Sequence, residues 1–367
     1  MEEQWVERPD DMKWDKLDHL YDYTHNRAQR SQVDVVPNKH LETIGTVDEN
    51  GKKKFSVVTN TDRYGWGQLN PTHWSFGQLC TRSEVPAVWA RRTHPEIAAL
   101  AMNYGLTFGS NTSDESKIMV IRGDNGEVLD MHCMTSPTYG RVFDYEVVDV
   151  TRRVIQRSGN NWDIPWARDV RSSSTGAYLS DRDVNIFLTD SERTISVYDP
   201  KLGRERMLHR GVIIGNSEVG ARKFFIKTFF YDNYCTNRVI FGMKNVRELG
   251  IRHTSGAPQR FLHEGVPLLK QIAEASPQRE EELFAKAVQF NVGKDEDSIR
   301  NWLKKRAFTV QQANAVIRNA RQETGELPTS LWDVVQSGTA MAKRIQHTDA
   351  RMKEEESYGR LLKYAEA

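Results

Sequence analysis

Between Gly220 and Arg252 the chain interleaves cations with flat rings. Arg222, Lys223, Lys227, Arg238, Lys244 and Arg252 alternate with Phe224, Phe225, Phe229, Phe230, Tyr231 and Tyr234. Single-stranded nucleic acid is held by two such devices, cations along the phosphates and aromatic faces for unstacked bases. Each stacked base contributes about 1–3 kcal/mol, so two or three accessible rings would matter. On a strand, Lys223, Phe225 and Lys227 share one face, while Arg222, Phe224, Ile226 and Thr228 share the other. Both faces then carry a cation. The opposing reading makes Phe225, Ile226 and Phe229 core and the basic residues a solvated sheet face. Local charge favours the nucleic-acid reading: residues 210–260 hold nine basic side chains against three acidic, or +6, in a chain of net charge +1. Residues 1–60 hold nine basic against twelve acidic, or −3, and residues 261–367 balance at sixteen of each. A second mixture, Arg168 and Arg171 beside Trp162 and Trp166, suits a single-strand channel, or equally a loop latched down by its tryptophans.

Other chemistries find little support. There is no phosphate-binding GxxxxGK[ST], GxSxG, HExxH, zinc-deaminase pattern or Asp-rich calcium loop. Asn216-Ser217-Glu218-Val219-Gly220 offers a single glycine at a turn, too little for a phosphate cradle. His132 and Cys133 are adjacent, so on a regular strand they point to opposite faces and cannot share a metal without a bend. His253 reads as a surface histidine able to meet a phosphate. A magnesium-dependent nuclease would need converging carboxylates, for which Asp144, Glu146, Asp181 and Asp183 are candidates whose convergence one sequence does not reveal. No catalytic residue, metal site or cofactor is therefore assigned.

The elements that must position these residues follow from pattern. The length, 367 residues, suits about two domains. Residues 1–60 read as an acidic, aromatic-dotted arm ending in a hairpin at Asn50-Gly51, with Phe55–Thr59 as its returning strand. Pro86 and Pro95 mark helix starts, and Ile97, Leu100, Ala101 and Tyr104 keep helical spacing until Gly105. Residues 117–122 and 128–134 flank a second hairpin turn, Asp124-Asn125-Gly126. Glu146–Arg157 reads as a helix and Ser158–Tyr178 as a long surface loop. Strands are expected at Val184–Leu188, Gly211–Gly215 and Lys223–Phe230. Five helices then run between Leu268 and Ile345, with caps at Asp297/Ser298 and Thr309. A charged helix with a Met352, Tyr358, Leu361, Leu362 stripe closes the chain. A helix-turn-helix around Arg300–Arg321 is conceivable. The expected class is α+β: a central, mostly antiparallel sheet with helices packed on it, and a helical C-terminal region. The expected divisions are 1–60, 61–260 and 261–367. No run approaches the roughly 18 apolar residues of a membrane span, the acidic N-terminus lacks a secretion signal, and Cys80, Cys133 and Cys235 fit a reducing compartment.

The segments GQLNPTHWSFGQLCTRSEVPAVWARRTHPEIAALAMNYGL, TSPTYGRVFDYEVV, YLSDRDVNIFL, NSEVGARKFFIKTFFYDNYCTNRVIFG and LPTSLWDVVQSGTAMAKRIQ resemble, in order, blocks of the family catalogued as domain of unknown function 932, found mostly in phages, plasmids and integrated elements. The resemblance runs from about residue 60 to about 362. The stretch Asp232–Asn237 departs from it, being more polar than the family's valine-rich approach to its Cys-x-Asn. The family transfers no reaction or catalytic residues; it implies a mobile-element protein in a bacterial cytoplasm. The order of elements across residues 184–242 is also similar to that of phage single-strand annealing proteins. The leading expectation is non-specific binding of single-stranded DNA by a homo-oligomer. The alternatives are a module that redirects or inhibits a host protein, and a metal-dependent enzyme acting on nucleic acid.

Overall fold

Two sheets organise the chain, and the elements are as follows in the computed structural model, which describes residues 4–59, 62–110, 114–123, 129–158, 161–165, 176–232, 236–241, 249–274 and 278–366. β1 (Met12–Trp14) and α1 (Leu17–Gln29) lead to β2 (Ser31–Pro37), β3 (Leu41–Val47), β4 (Lys53–Thr59) and β5 (Leu69–Pro71). Three helices follow, α2 (His73–Arg82), α3 (Ala87–Arg92) and α4 (Pro95–Phe108), then β6 (Glu115–Arg122) and β7 (Leu129–Thr135). α5 (Asp144–Ser158) precedes β8 (Trp162–Asp163), β9 (Ala177–Leu179), β10 (Val184–Asp199), β11 (Arg204–Asn216), β12 (Phe224–Asp232), β13 (Arg238–Ile240) and β14 (Leu249–Ile251). The rest is helical: α6 (Ala257–Arg260), a π-helical turn over Phe261–Gly265, α7 (Val266–Glu274), α8 (Gln278–Gln289), α9 (Glu296–Lys304), α10 (Val310–Thr324), α11 (Leu331–Ala342) and α12 (Thr348–Gly359).

The six-stranded sheet has the order β2-β6-β7-β5-β4-β3, antiparallel except where β5 runs parallel to β7. Its β3–β4 hairpin turns at Gly51, whose φ of 77° is the left-handed value the Asn-Gly signal implies. The second expected turn, Asp124-Asn125-Gly126, lies outside the described residues, although β6 and β7 do pair antiparallel. Pro95 opens α4 and Thr72 caps α2 by accepting from the Ser75 amide. The core of this unit joins Phe55, Val57, Phe76, Met102, Ile118 and Val120.

The eight-stranded sheet has the order β1-β9-β10-β11-β12-β13, with β8 on β10 and β14 on β12. One face of it builds the main core with the helices, through contacts such as Phe230–Phe284 at 4.9 Å and Phe284–Trp332 at 5.4 Å. Capping boxes start α9 at Asp295, α10 at Thr309 and α11 at Ser330. The cap expected at Asp297/Ser298 thus sits two residues earlier.

The class is α+β, with mixed sheets, helices packed around them and a helical C-terminal region. Three expectations change. The first sixty residues are no separate arm: they supply β1 to one sheet and β2, β3 and β4 to the other. The C-terminal helices share one core with the eight-stranded sheet, so a boundary at 260 passes through packed side chains. The region expected as a loop over 158–178 contributes two short strands, β8 against β10 and the start of β9 between β1 and β10, and Trp162 is buried.

Candidate nucleic-acid interface

β12 has the alternation its sequence predicts. Phe224, Ile226 and Phe230 enter the main core, whereas Phe225, Phe229 and Tyr231 turn to the opposite face of the sheet, and Lys227 lies in the same alternation. On β11, Gly215 pairs with Phe225 and Gly211 with Phe229. A Cβ on either glycine would stand 2.1 Å from the paired ring, so both rings lie flat across a groove that only glycine leaves open. Phe187 meets Phe229 edge-on at 5.6 Å. Cations join this face: Arg238 stands 4.1 Å over the Phe187 ring, and Arg222 and Lys227 flank Phe225 at 5.5 and 5.8 Å.

This cation–aromatic face is covered by α12. Glu355 accepts from the Arg238 Nε on both carboxylate oxygens at 3.0 Å, and from the Arg351 Nε at 2.8 Å. Glu356 pairs with Lys227 at 2.9 Å, and Met352 rests in the ring cluster. The N-terminal segment ties the helix start. Asp11 accepts from the Thr348 amide at 2.6 Å, and Arg8 pairs with Asp349 at 2.9 Å. The Lys13 ammonium is pushed down by burial, then by Arg351 and Arg238. The Nη1 and Nη2 of fully buried Arg238 have no acceptor among the described residues.

The expected site residues fall into four groups. Arg222, Lys227 and Arg238 share the covered face with Phe225 and Phe229. Arg222 is engaged by Asp183 at 2.9 Å and the Asn185 carboxamide oxygen at 3.1 Å. Phe224 and Tyr231 are corrected: Phe224 is core, edge-on to Phe261 at 4.8 Å, and Tyr231 is sealed in the same covered cluster as Phe187, Phe225 and Phe229, so none of these rings offers a stacking face as folded. Lys223 and Arg252 are exposed, Lys223 lying along Gly250 of β14. Lys244, Arg168 and Arg171 lie outside the described residues, as do Trp166, Tyr234 and Cys235. In the helical region the basic residues suggested for a helix-turn-helix are partly engaged: Arg300 and Arg321 pair with Glu296, and Arg306 stacks on Trp302 at 3.6 Å.

A second cluster was missed by sequence reasoning. It joins the two sheets at the turn after β11. Arg27 Nη2 donates to Asp144 Oδ2 at 2.8 Å and to Glu218 Oε1 at 2.6 Å, and His132 Nε2 lies 3.3 Å from the same Glu218 oxygen. Arg141 donates to the Glu218 carbonyl oxygen, and Asn216 Nδ2 to Asp144 Oδ1 at 2.7 Å. The expected opposition of His132 and Cys133 fails for a local reason. The β6–β7 register shifts between Met119 and Val120, leaving His132 as the extra residue of a bulge. That bend brings His132 to Glu218 while Cys133 meets Arg141 at 3.3 Å. All these side chains are buried, so the cluster fixes one sheet against the other.

Burial and then the Glu218 charge push the Asp144 carboxyl up to about 8. Burial opposes ionisation of Glu218 too, but Arg27 and His132 outweigh it and hold that carboxyl well below the usual range. One proton thus stays on Asp144. The unfolded chain ionises Asp144 near 3.8, so between pH 4 and 8 unfolding releases this proton and stability falls as pH rises, levelling above about pH 8. Raising the pH from 5 to 8 is expected to remove at most about 4 kcal/mol through this group. Urea titrations across that range should show the slope in the unaltered chain and its loss in Asp144→Asn. An equal slope in both would place the titration elsewhere.

Among the described residues no group of three or more His, Cys, Asp or Glu is placed to hold a metal ion, and no helix is long and apolar enough to cross a membrane. No family model, curated protein or solved structure matches the chain.

Proposed function

We propose that the outer face of the eight-stranded sheet binds single-stranded DNA without sequence preference, and that α12 holds the place of the strand until it is displaced. One observation carries the reading: Glu355 and Glu356 meet Arg238 and Lys227 across a bed of Phe187, Phe225 and Phe229. An acidic helix there occupies the position a phosphate backbone would take, with rings beneath it for unstacked bases. The Arg238 donors that α12 leaves unmatched are suited to phosphate oxygens. The family resemblance implies only a mobile-element setting in a bacterial cytoplasm; a part in its DNA metabolism, with strand annealing as the activity such binding would serve, belongs to the proposal.

Neutralising three phosphates with Arg222, Lys227 and Arg238 gives a log–log salt slope of about −2. Fluorescence anisotropy of a labelled oligodeoxynucleotide between 50 and 200 mM salt measures it. Lys227→Ala is expected to reduce the slope by about 0.7. Glu356→Gln, which frees Lys227 from a part-exposed pair, is expected to tighten binding about 2–5-fold. Salt-independent binding, or indifference to both substitutions, would sink the reading.

A further inference from the structure

The sequence spacing of Ile97, Leu100 and Tyr104 on α4 is regular, but these residues do not enter the core. The core takes Ala98, Ala99, Met102 and Leu106, while Ile97, Leu100, Tyr104 and Phe108 are 53, 70, 70 and 71% exposed. The helix also runs past Gly105 to Phe108. Spaced by three, four and four residues, the exposed four make one continuous stripe. Tyr104 and Phe108 already touch, with ring centroids 5.1 Å apart. A helix apolar on both sides is ordinarily buried on both.

α4 is also rigidly seated. It lies along β3, an edge strand, and the Asn103 carboxamide stands in for a missing neighbour strand: Oδ1 accepts from the Thr43 amide at 2.7 Å, and Nδ2 donates to the Thr43 carbonyl at 2.9 Å. The stripe is therefore presented on a fixed element.

We propose that α4 is the interface of a homodimer, packing antiparallel against α4 of a second copy about a two-fold axis. No charged residue occurs from Ile97 to Phe108. Nucleic acid would find no cation along that stripe. A second copy has the matching chemistry. Antiparallel pairing sets the N-terminus of each helix beside the C-terminus of the other, so the dipoles attract, and it lays Leu100 of one copy near Tyr104 of its mate. The four side chains expose on the order of 400 Å² of apolar surface per copy. That equals the largest patch a monomer ordinarily tolerates. It is about half of what each partner gives a standard interface, so the dimer is expected to be reversible, with a Kd on the order of micromolar.

This inference stands apart from the nucleic-acid reading, and its test needs no DNA. Sedimentation equilibrium of the full chain between about 1 and 100 μM is expected to show mass rising from one chain to two. Leu100→Glu and Tyr104→Glu should each remain monomeric throughout. Both positions are exposed, so unchanged circular dichroism and thermal unfolding at low concentration would verify the fold. A chain that stays monomeric at the highest concentration overturns the proposal. So does an assembly that persists in both folded variants, which would put the interface elsewhere.

Discussion

Replacing both carboxylates that face Arg27, in the double variant Asp144→Asn/Glu218→Gln, is expected to lower the unfolding free energy by about 3–5 kcal/mol, and by more than the two single substitutions together. The reason is a shared cation. One guanidinium nitrogen, Arg27 Nη2, donates to both acids in a site closed to solvent. Glu218 carries the charge and Asp144 the proton, so Asp144→Asn removes little of the attraction at neutral pH. Glu218→Gln removes the charge, but it also removes a reason why Asp144 stays protonated, and Asp144 can then ionise against Arg27. Only the double change strands the cation. Urea unfolding of the four proteins at pH 7 closes the cycle. Losses that add to within about 0.5 kcal/mol would mean that the two acids do not substitute for one another.

That cluster also marks where sequence reasoning stops. The alternation of β12 was legible because a strand's period is fixed by its own backbone: Phe225 and Lys227 do share a face, and Phe224 and Ile226 the other. It does not extend to Arg222 and Lys223, which precede the strand: Arg222, expected beside Phe224, lies over Phe225 instead. The Met352, Tyr358, Leu361, Leu362 stripe likewise predicts buried positions on the last helices, and all four are buried. Two kinds of fact were not legible. One is register between strands: the bulge at His132 exists only in the pairing of β6 with β7. The other is long-range charge pairing. Nothing in the mixed charge of the last helix singles out Glu355, yet it is fully buried because Arg238, 117 residues away, meets it from the sheet. The β10–β11 hairpin lies between these cases. Its outer half, Thr194–Asp199, does alternate, with Ile195 and Val197 inside and Tyr198 outside, but three ionisable residues between Thr189 and Thr194 break the apolar run where the register also shifts.

Substituting Glu355 is expected to have the second large effect, and to act on function as well as stability. Glu355 is the acceptor for two buried guanidiniums, Arg238 and Arg351. In Glu355→Gln, an amide oxygen keeps one of them while the NH2 turns a donor toward donors, at a cost of about 3–5 kcal/mol. The loss should appear locally. Tyr358, Leu361 and Leu362 anchor the far end of the strap in the main core, so only the turns from Thr348 to Glu356 need lift. Hydrogen exchange is expected to speed at least 100-fold in those turns and to stay unchanged in β11 and β12. Since apparent affinity scales with the fraction of chains whose face is open, loosening by about 3 kcal/mol tightens oligonucleotide binding by up to about 100-fold. Glu282→Gln on the exposed side of α8 makes the same change of net charge far from the face, and should shift affinity little. The measurements divide the claim cleanly. Unchanged exchange would show that α12 does not depend on this ion pair. Faster exchange with unchanged affinity would show that the strap opens onto a face that takes no DNA, because the rings and cations beneath it would then be free and still not bind.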